Sequence, residues 1–204
     1  MLEAADLDCA RGGRTLFRGL SLTLAPGEVV RVAGENGRGK TSLLRILCGL
    51  LTPSAGTVRW KGAPIGELKE EYSRSLVYLG HAPAVKEELT AAENLSMACT
   101  LAGVPFSQAS FSEALKKFSV PELAVGRMSL GQRRRAALAR LALSASVPLW
   151  LLDEPLAALD ATAAALVESL IAAHAARGGM VVFTTHQDTR LAVSRQVDLG
   201  ASHG

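Results

Sequence analysis

Three apolar runs set the pattern of the chain: Glu28-Val-Val-Arg-Val-Ala33, Val147-Pro-Leu-Trp-Leu-Leu152 and Met180-Val-Val-Phe-Thr-Thr185. Each is short, rich in β-branched and bulky residues, and bounded by turn residues. That predicts strands buried on both faces, as in a parallel sheet. The opening stretch, Leu2 to Leu24, is broken at Arg11-Gly-Gly-Arg14 and Arg18-Gly19, which predicts two antiparallel strands joined by a turn. Pro26-Gly27 and Thr52-Pro-Ser-Ala-Gly56 read as further turns, and Thr57–Lys61 and Ser75–Leu79 as two more strands.

Between about Ala84 and Ser144 the spacing becomes helical. Thr90-Ala-Ala-Glu93, Ser110-Phe-Ser-Glu113 and Ser129-Leu-Gly-Gln132 each fit a capping box. They predict a helix from Thr90 to about Ala102 stopped by Gly103 and Pro105, a shorter one ending before Pro121, and a long one running to about Ser144. Asp160 to Arg177 predicts a helix with Asp160 as its N-cap and Gly178-Gly179 past its end. A short helix near Asp188–Val193 and an irregular tail complete the expectation. The outcome is one α/β domain. Residues 1–83 and 145–204 form a core with a mainly parallel sheet and an N-terminal antiparallel part, and 84–144 form an inserted helical subdomain.

Composition narrows the function classes. The 204 residues are 49% hydrophobic, enough for a sizeable core, and the net charge is only +3. The single basic cluster, Arg133-Arg-Arg135, sits inside a predicted helix, so charge does not suggest a nucleic-acid partner, and none is expected. No apolar run approaches the roughly 18 residues of a membrane-spanning helix, and the first residues lack a secretory layout. A cytosolic chain is expected. Cys9, Cys48 and Cys99 lack C-x-x-C spacing and read as core residues in a reducing compartment. His81, His174, His186 and His203 have no metal-ligand spacing.

The chemistry begins at Gly34-Glu-Asn-Gly-Arg-Gly-Lys-Thr41, which fits the phosphate-loop pattern G-x-x-x-x-G-K-[ST]. A predicted strand precedes it and a predicted helix, from Ser42 on, follows it. Glycines let successive N–H groups of Gly34, Glu35, Asn36, Gly37, Arg38, Gly39, Lys40, Thr41 and Ser42 turn toward phosphate oxygens. The helix start adds partial positive charge. Lys40 can reach the β- and γ-phosphates, and the Thr41 hydroxyl can ligate Mg²⁺.

Asp153-Glu154 follows the second apolar run, at the carboxyl end of a strand, where ligands bind in open parallel sheets. Asp153 suits Mg²⁺, and Glu154 suits polarising a water. His186 repeats that placement one strand later, within reach of a γ-phosphate. Ser129-Leu-Gly-Gln132 opens a second helix start with anion-binding character on a separate lobe. Its spacing alone leaves a plain capping box and a contact to a neighbouring molecule's nucleotide both open.

Taken in order, the phosphate loop, Met128-Ser-Leu-Gly-Gln132, Leu149-Trp-Leu-Leu-Asp-Glu-Pro155, Leu156-Ala-Ala-Leu-Asp160 and Thr185-His186 resemble the nucleotide-binding domain of ABC transporters over nearly the whole chain. The resemblance implies an ABC-type P-loop NTPase fold using ATP and Mg²⁺. It also implies a head-to-tail homodimer, in which Ser129, Leu130, Gly131 and Gln132 contact ATP held by the other subunit and Asp160 lies in the loop joining the two sites. His81 falls where the family usually has a glutamine near Mg²⁺, and is a further candidate metal contact. Arg11 falls where an adenine-stacking aromatic is usual, and a guanidinium plane can also stack. Leu130 replaces a small residue, and Arg38 is bulky within the phosphate loop.

Arg14-Thr-Leu-Phe17, Tyr78-Leu-Gly-His81, Lys86 to Leu95, Leu130-Gly-Gln-Arg-Arg-Arg135 and Thr184-Thr-His-Gln187 are similar, more narrowly, to the ATP-binding subunits of cytochrome c maturation (haem export) transporters, the CcmA family. That likeness implies an ATP hydrolase at the cytoplasmic face of a bacterial inner membrane, working with CcmB-like and CcmC-like integral membrane subunits in haem handling. The alternatives are an ABC ATPase for another substrate, a soluble ABC-type assembly factor, and a nucleotide-binding module with little turnover. The full set of Glu154, His186 and signature residues argues against the last. No C-x-x-C-H or other haem site is readable.

Overall fold

The computed structural model describes residues 1–104 and 106–200; His203 and Pro105 lie outside them. In chain order the elements are β1 (Leu2–Arg11), β2 (Arg14–Leu24), β3 (Val29–Ala33), α1 (Lys40–Leu47), β4 (Ala55–Trp60), β5 (Ala63–Pro64), α2 (Ile65–Arg74) and β6 (Leu76–Leu79). Four helices follow: α3 (Ala91–Ala102), α4 (Gln108–Lys117), α5 (Leu130–Leu138) and α6 (Arg140–Leu143). The chain ends with β7 (Leu149–Leu152), α7 (Ala161–Ala176), β8 (Met180–Thr184) and β9 (Arg195–Asp198).

Two sheets result. One is antiparallel, in the order β2-β1-β4-β5; the other has the order β6-β7-β8-β3-β9, with every pair parallel. The apolar runs alternate between two cores, as the period of 2 along a strand requires. Val30, Val32, Leu149, Leu151 and Val182 pack with Leu43, Leu44 and Leu47 of α1 and with the antiparallel sheet. Val29, Trp150, Leu152, Val181 and Phe183 point to the other side, onto Val167 and Ile171 of α7 and residues of α3 and α4. Helix α1 is thus held between the sheets, and its start is fixed beside the end of β3. In a parallel sheet all carboxyl ends lie along one edge. The loops after β3, β6, β7 and β8 therefore meet there.

Three caps follow the chemistry of their residues. Thr90 and Ser129 form full capping boxes with Glu93 and Gln132, and the Asp160 carboxylate accepts from the Ala163 N–H. Cys9, Cys48 and Cys99 are free thiols. Elsewhere the structure corrects the expectation. The second capping box is Ser107 with Ser110, one turn earlier than Ser110 with Glu113. The earlier start brings Phe111, Ala114 and Phe118 onto one buried face. The long helix stops at Leu138 and restarts as the single turn α6, with the Ala142 N–H donating to the Ala139 carbonyl three residues back.

The helix expected at 188–193 is absent. There the Thr189 hydroxyl and the Arg190 N–H both donate to Glu168 Oε1 on α7, which takes the loop's groups out of helical pairing. The expected tail instead contains β9, paired with β3. Helix α2, between Pro64 and Ser75, is an element without a sequence expectation.

Candidate active site

The four loops enclose a cavity of about 770 Å³ lined by Arg11, Asn36, Gly37, Gly39, Lys40, Thr41, Ser42, His81, Asp153, Glu154, His186 and Gln187, among others. Gly39 caps α1 without a side-chain bond, at φ +99°, with Leu16 and Phe17 so close that an added Cβ would lie 3.0 Å from Leu16 Cβ. Only glycine takes that conformation without strain. Buried Lys40 stretches across the loop, its Nζ donating to the Gly34 and Glu35 carbonyls at 2.6 and 3.0 Å. Glu35 and Arg38 pair with each other on the exposed side of the loop.

Asp153 is 2% exposed and fully engaged. Thr41 Oγ1 donates to its Oδ2 at 2.8 Å, and Thr184 Oγ1, from the end of β8, donates to its Oδ1 at 2.8 Å. The same Thr184 oxygen accepts the Glu154 N–H at 2.8 Å. One buried hydroxyl thereby fixes two consecutive acidic residues. A hydroxyl beside a carboxylate is the sparse donor set that Mg²⁺ accepts, since that ion keeps waters and phosphate oxygens as its other ligands. The pair Thr41–Asp153 fits it, although the described residues hold no cluster of three or more side chains that would bind a metal alone.

Glu154 has φ +52°, a left-handed conformation uncommon outside glycine. Its carboxylate is directed back over the cavity: Oε2 accepts the His186 N–H at 3.2 Å. The buried Oε1 has no hydrogen-bond partner, with His186 Nε2 3.4 Å away. Glu154 lines the cavity, and a carboxylate there is suited to accept a proton from a water. His186 is half-exposed and bears on Glu154 directly, a closer tie than its sequence position indicated.

The remaining expected residues lie apart. Ser129 and Leu130 are exposed at the start of α5, and neither they nor Gly131 or Gln132 line the cavity of their own chain. Gln132 Oε1 accepts the Ser129 N–H. Asp160 lies at the surface, joined to Arg135 at 3.1 Å. Two residues of consequence had no sequence expectation: Thr184, whose position at a strand end facing Asp153 was the available signal, and Arg134, hidden within the basic cluster. The Arg134 guanidinium is buried under the loops after β6 and β7.

A parallel sheet with a phosphate loop, an acidic strand end and a histidine at the next strand, carrying four helices between β6 and β7, defines a nucleotide-binding cassette of the ABC type. The sequence family described as ABC transporter matches residues 17–157. Two cytochrome c biogenesis ATP-binding export proteins named CcmA are close in sequence. That of Aromatoleum aromaticum is 52% identical, covering 95% of this chain and 92% of its own. That of Pseudomonas aeruginosa is 48% identical, covering 98% and 100%.

Among solved structures, a Pyrococcus furiosus protein assigned as an ABC transporter ATP-binding protein superposes with a TM-score of 0.83 at 25% identity, over 98% of this chain and 97% of its own. The cassette MJ0796, in a dimeric post-hydrolysis state bound to ADP and Pi, gives 0.77 at 24% identity over 92% and 88%, a likeness of fold. The chain belongs to the ABC transporter ATP-binding family and, within it, to the CcmA proteins.

Proposed function

We propose that this chain is the ATPase subunit of an ABC transporter complex that drives haem export or haem handling in cytochrome c maturation. The observation that carries the catalytic half is the meeting of Lys40, Thr41, Asp153, Glu154 and His186 on one cavity. The cellular half rests on about half-identity, over almost the full length, to proteins named for that role. Residues 84–144 form the inserted helical subdomain, and the chain sits peripherally at the cytoplasmic face of the inner membrane, held by integral membrane subunits of the CcmB and CcmC kind. No helix among the described residues is long and apolar enough to cross a membrane.

In this reading the phosphate-loop amides and Lys40 bind the β- and γ-phosphates, while Thr41 and Asp153, with His81 nearby, hold Mg²⁺. Bound there, Mg²⁺ would supply positive charge to offset that of the phosphates. The Glu154 carboxylate accepts the proton of a water whose oxygen bonds to the γ-phosphorus, as the bond from that phosphorus to the bridging oxygen breaks and ADP leaves. His186 holds Glu154 in place through its backbone N–H, and its ring, on the same cavity, serves to sense the γ-phosphate.

The outward position of Ser129 to Gly131 supports a head-to-tail homodimer in which those residues, with Gln132 behind them, reach the partner's nucleotide, with Asp160 at the interface. Glu154→Gln is expected to bind ATP and lose turnover, and Lys40→Ala to lose binding. Ordinary hydrolysis by Glu154→Gln would refute the base. For the cellular role, the complex purified with its membrane subunits should change its ATPase rate when haem is supplied. Co-purification with the membrane subunits of another transporter would overturn the haem assignment.

A further inference from the structure

The side chains of the basic run Arg133-Arg-Arg135 all make contacts inside the molecule. Arg133 donates through Nε to the Met128 carbonyl at 3.0 Å and through Nη2 to the Gly126 carbonyl at 2.9 Å, and pairs with Glu87. Arg135 pairs with Asp160. Arg134 differs from both, because it is 5% exposed and reaches no carboxylate oxygen.

Its Nη1 donates to the Gly80 and His81 carbonyls at 3.0 and 2.9 Å, and its Nη2 to the Asp153 and Glu154 carbonyls at 2.9 and 2.6 Å. All four Nη hydrogens are used, on two loops, while Nε has no partner. Burial pulls the guanidinium pKa down, opposed by the nearby charges of Asp153 and Glu154. A planar fork with fixed donor directions holds its acceptors in a fixed mutual geometry. Here the acceptors are the backbones of the two loops that bring His81, Asp153 and Glu154 to the cavity, and the fork is rooted in the helix capped by Ser129.

We propose that Arg134 is a positioning residue for ATP hydrolysis, locking the loops of His81 and of Asp153–Glu154 to helix α5 so that the three move as one body. The inference rests on the reading of Glu154 as base and of Ser129–Gly131 as the contact to a second nucleotide. A nucleotide that engages the start of α5 would then adjust the placement of Glu154 in the subunit carrying that helix. The left-handed backbone of Glu154 gives this lock something to hold, since such a conformation persists only where neighbours over-determine it.

The test uses the full chain assembled with its membrane subunits, comparing Arg134→Gln, Arg134→Lys and Glu154→Gln with wild type. Glutamine offers two N–H hydrogens and lysine three, against the four used here. Arg134→Gln is expected to lower kcat at least tenfold while KM and the Kd for Mg·ATP stay within about threefold, with part of the rate recovered in Arg134→Lys. If Arg134→Gln fails to fold, Arg134→Lys carries the test through a several-fold loss of kcat at unchanged KM. Wild-type kcat in the variant that carries the test, or a fall in ATP affinity that accounts for the lost rate, overturns the proposal. Turnover in Glu154→Gln refutes the base reading separately. A dead Glu154→Gln beside a fully active Arg134→Gln refutes the positioning role alone.

Discussion

Thr184→Val isolates a single hydroxyl at the centre of the site. The side chain is completely buried, and valine keeps its branching, so the change removes polarity with little change in shape. Two partners lose their bond at once: Asp153 Oδ1, which accepts from Thr184 at 2.8 Å, and the Glu154 N–H, which donates to it at 2.8 Å. A hydrogen bond to a charged group contributes about 1.5–3 kcal/mol, and an unsatisfied buried donor costs about 1–3 kcal/mol. Partial relaxation of the loop recovers some of that, which leaves a destabilisation of about 3 kcal/mol.

For a chain of this size each kcal/mol corresponds to about 2–4 °C in Tm, so a fall of about 9 °C is expected in a thermal melt. Turnover should fall as well, because the lost N–H bond is one of the restraints that keep Glu154 left-handed. Thr184→Ser, which restores the hydroxyl, should recover most of both losses. A valine variant within about 0.5 kcal/mol of wild type in urea unfolding, with undiminished turnover, would show that the hydroxyl does not organise the acidic pair.

Buried His174 stacks on Trp150 with ring centroids 3.9 Å apart, and burial followed by the charge of Arg177 pushes its pKa down to about 4. Its folded pKa lies below the unfolded value, so the neutral ring's full stability is present above about pH 6.5 and is lost as pH falls toward 4. Wild type should lose about 2 kcal/mol between pH 7 and pH 5 from this group, a loss absent in His174→Leu whatever that variant's own stability. Equal pH slopes in the two proteins would rule the effect out. Gly56→Ala should destabilise by about 3 kcal/mol or more, since φ is +86° and the new Cβ would lie 2.4 Å from the Asp6 carbonyl oxygen. In the open turn at Gly12 the same substitution meets no neighbour, so only its φ of +56° penalises it and its melt should shift far less.

Legibility followed locality. The three apolar runs announced β3, β7 and β8 because both faces of each are buried, and Thr90, Ser129 and Asp160 announced helix starts because a cap is made by neighbours three residues apart. The phosphate loop, Asp153, Glu154 and His186 were readable for the same reason, each standing at the end of a recognisable strand. Elements fixed from a distance were not. Strand β9 carries Arg195, Gln196, Val197 and Asp198, of which only Val197 is partly buried, and it owes its form to backbone pairing with β3 at the sheet edge. Helix α2 sets Ile65, Leu68 and Tyr72 on the core, but its backbone turns non-helical at Lys69, so the stripe belongs to two short turns rather than one long helix. The match of Ser110 to Glu113 predicts a start of α4 at Ser110, whereas Ser107 and Ser110 bond each other and Phe111 packs into the core within the helix.

The same distinction separates residues that line the cavity from those that hold its walls in place. Lys40, Thr41 and Glu154 present functional atoms to the cavity, and such residues leave a spacing that the sequence displays. Thr184 and Arg134 present theirs to backbone and to Asp153, across 31 and 19 residues of chain to that aspartate. Nothing in the neighbourhood of either residue along the chain distinguishes a tying role from an ordinary strand threonine or a solvated helix arginine. Burial does distinguish them. An arginine at 5% exposure with every Nη hydrogen engaged gives up hydration that a surface arginine keeps, and the return is a fixed geometry between two loops. With Glu154 held in a left-handed backbone beside it, that geometry is what Arg134→Gln is expected to disturb.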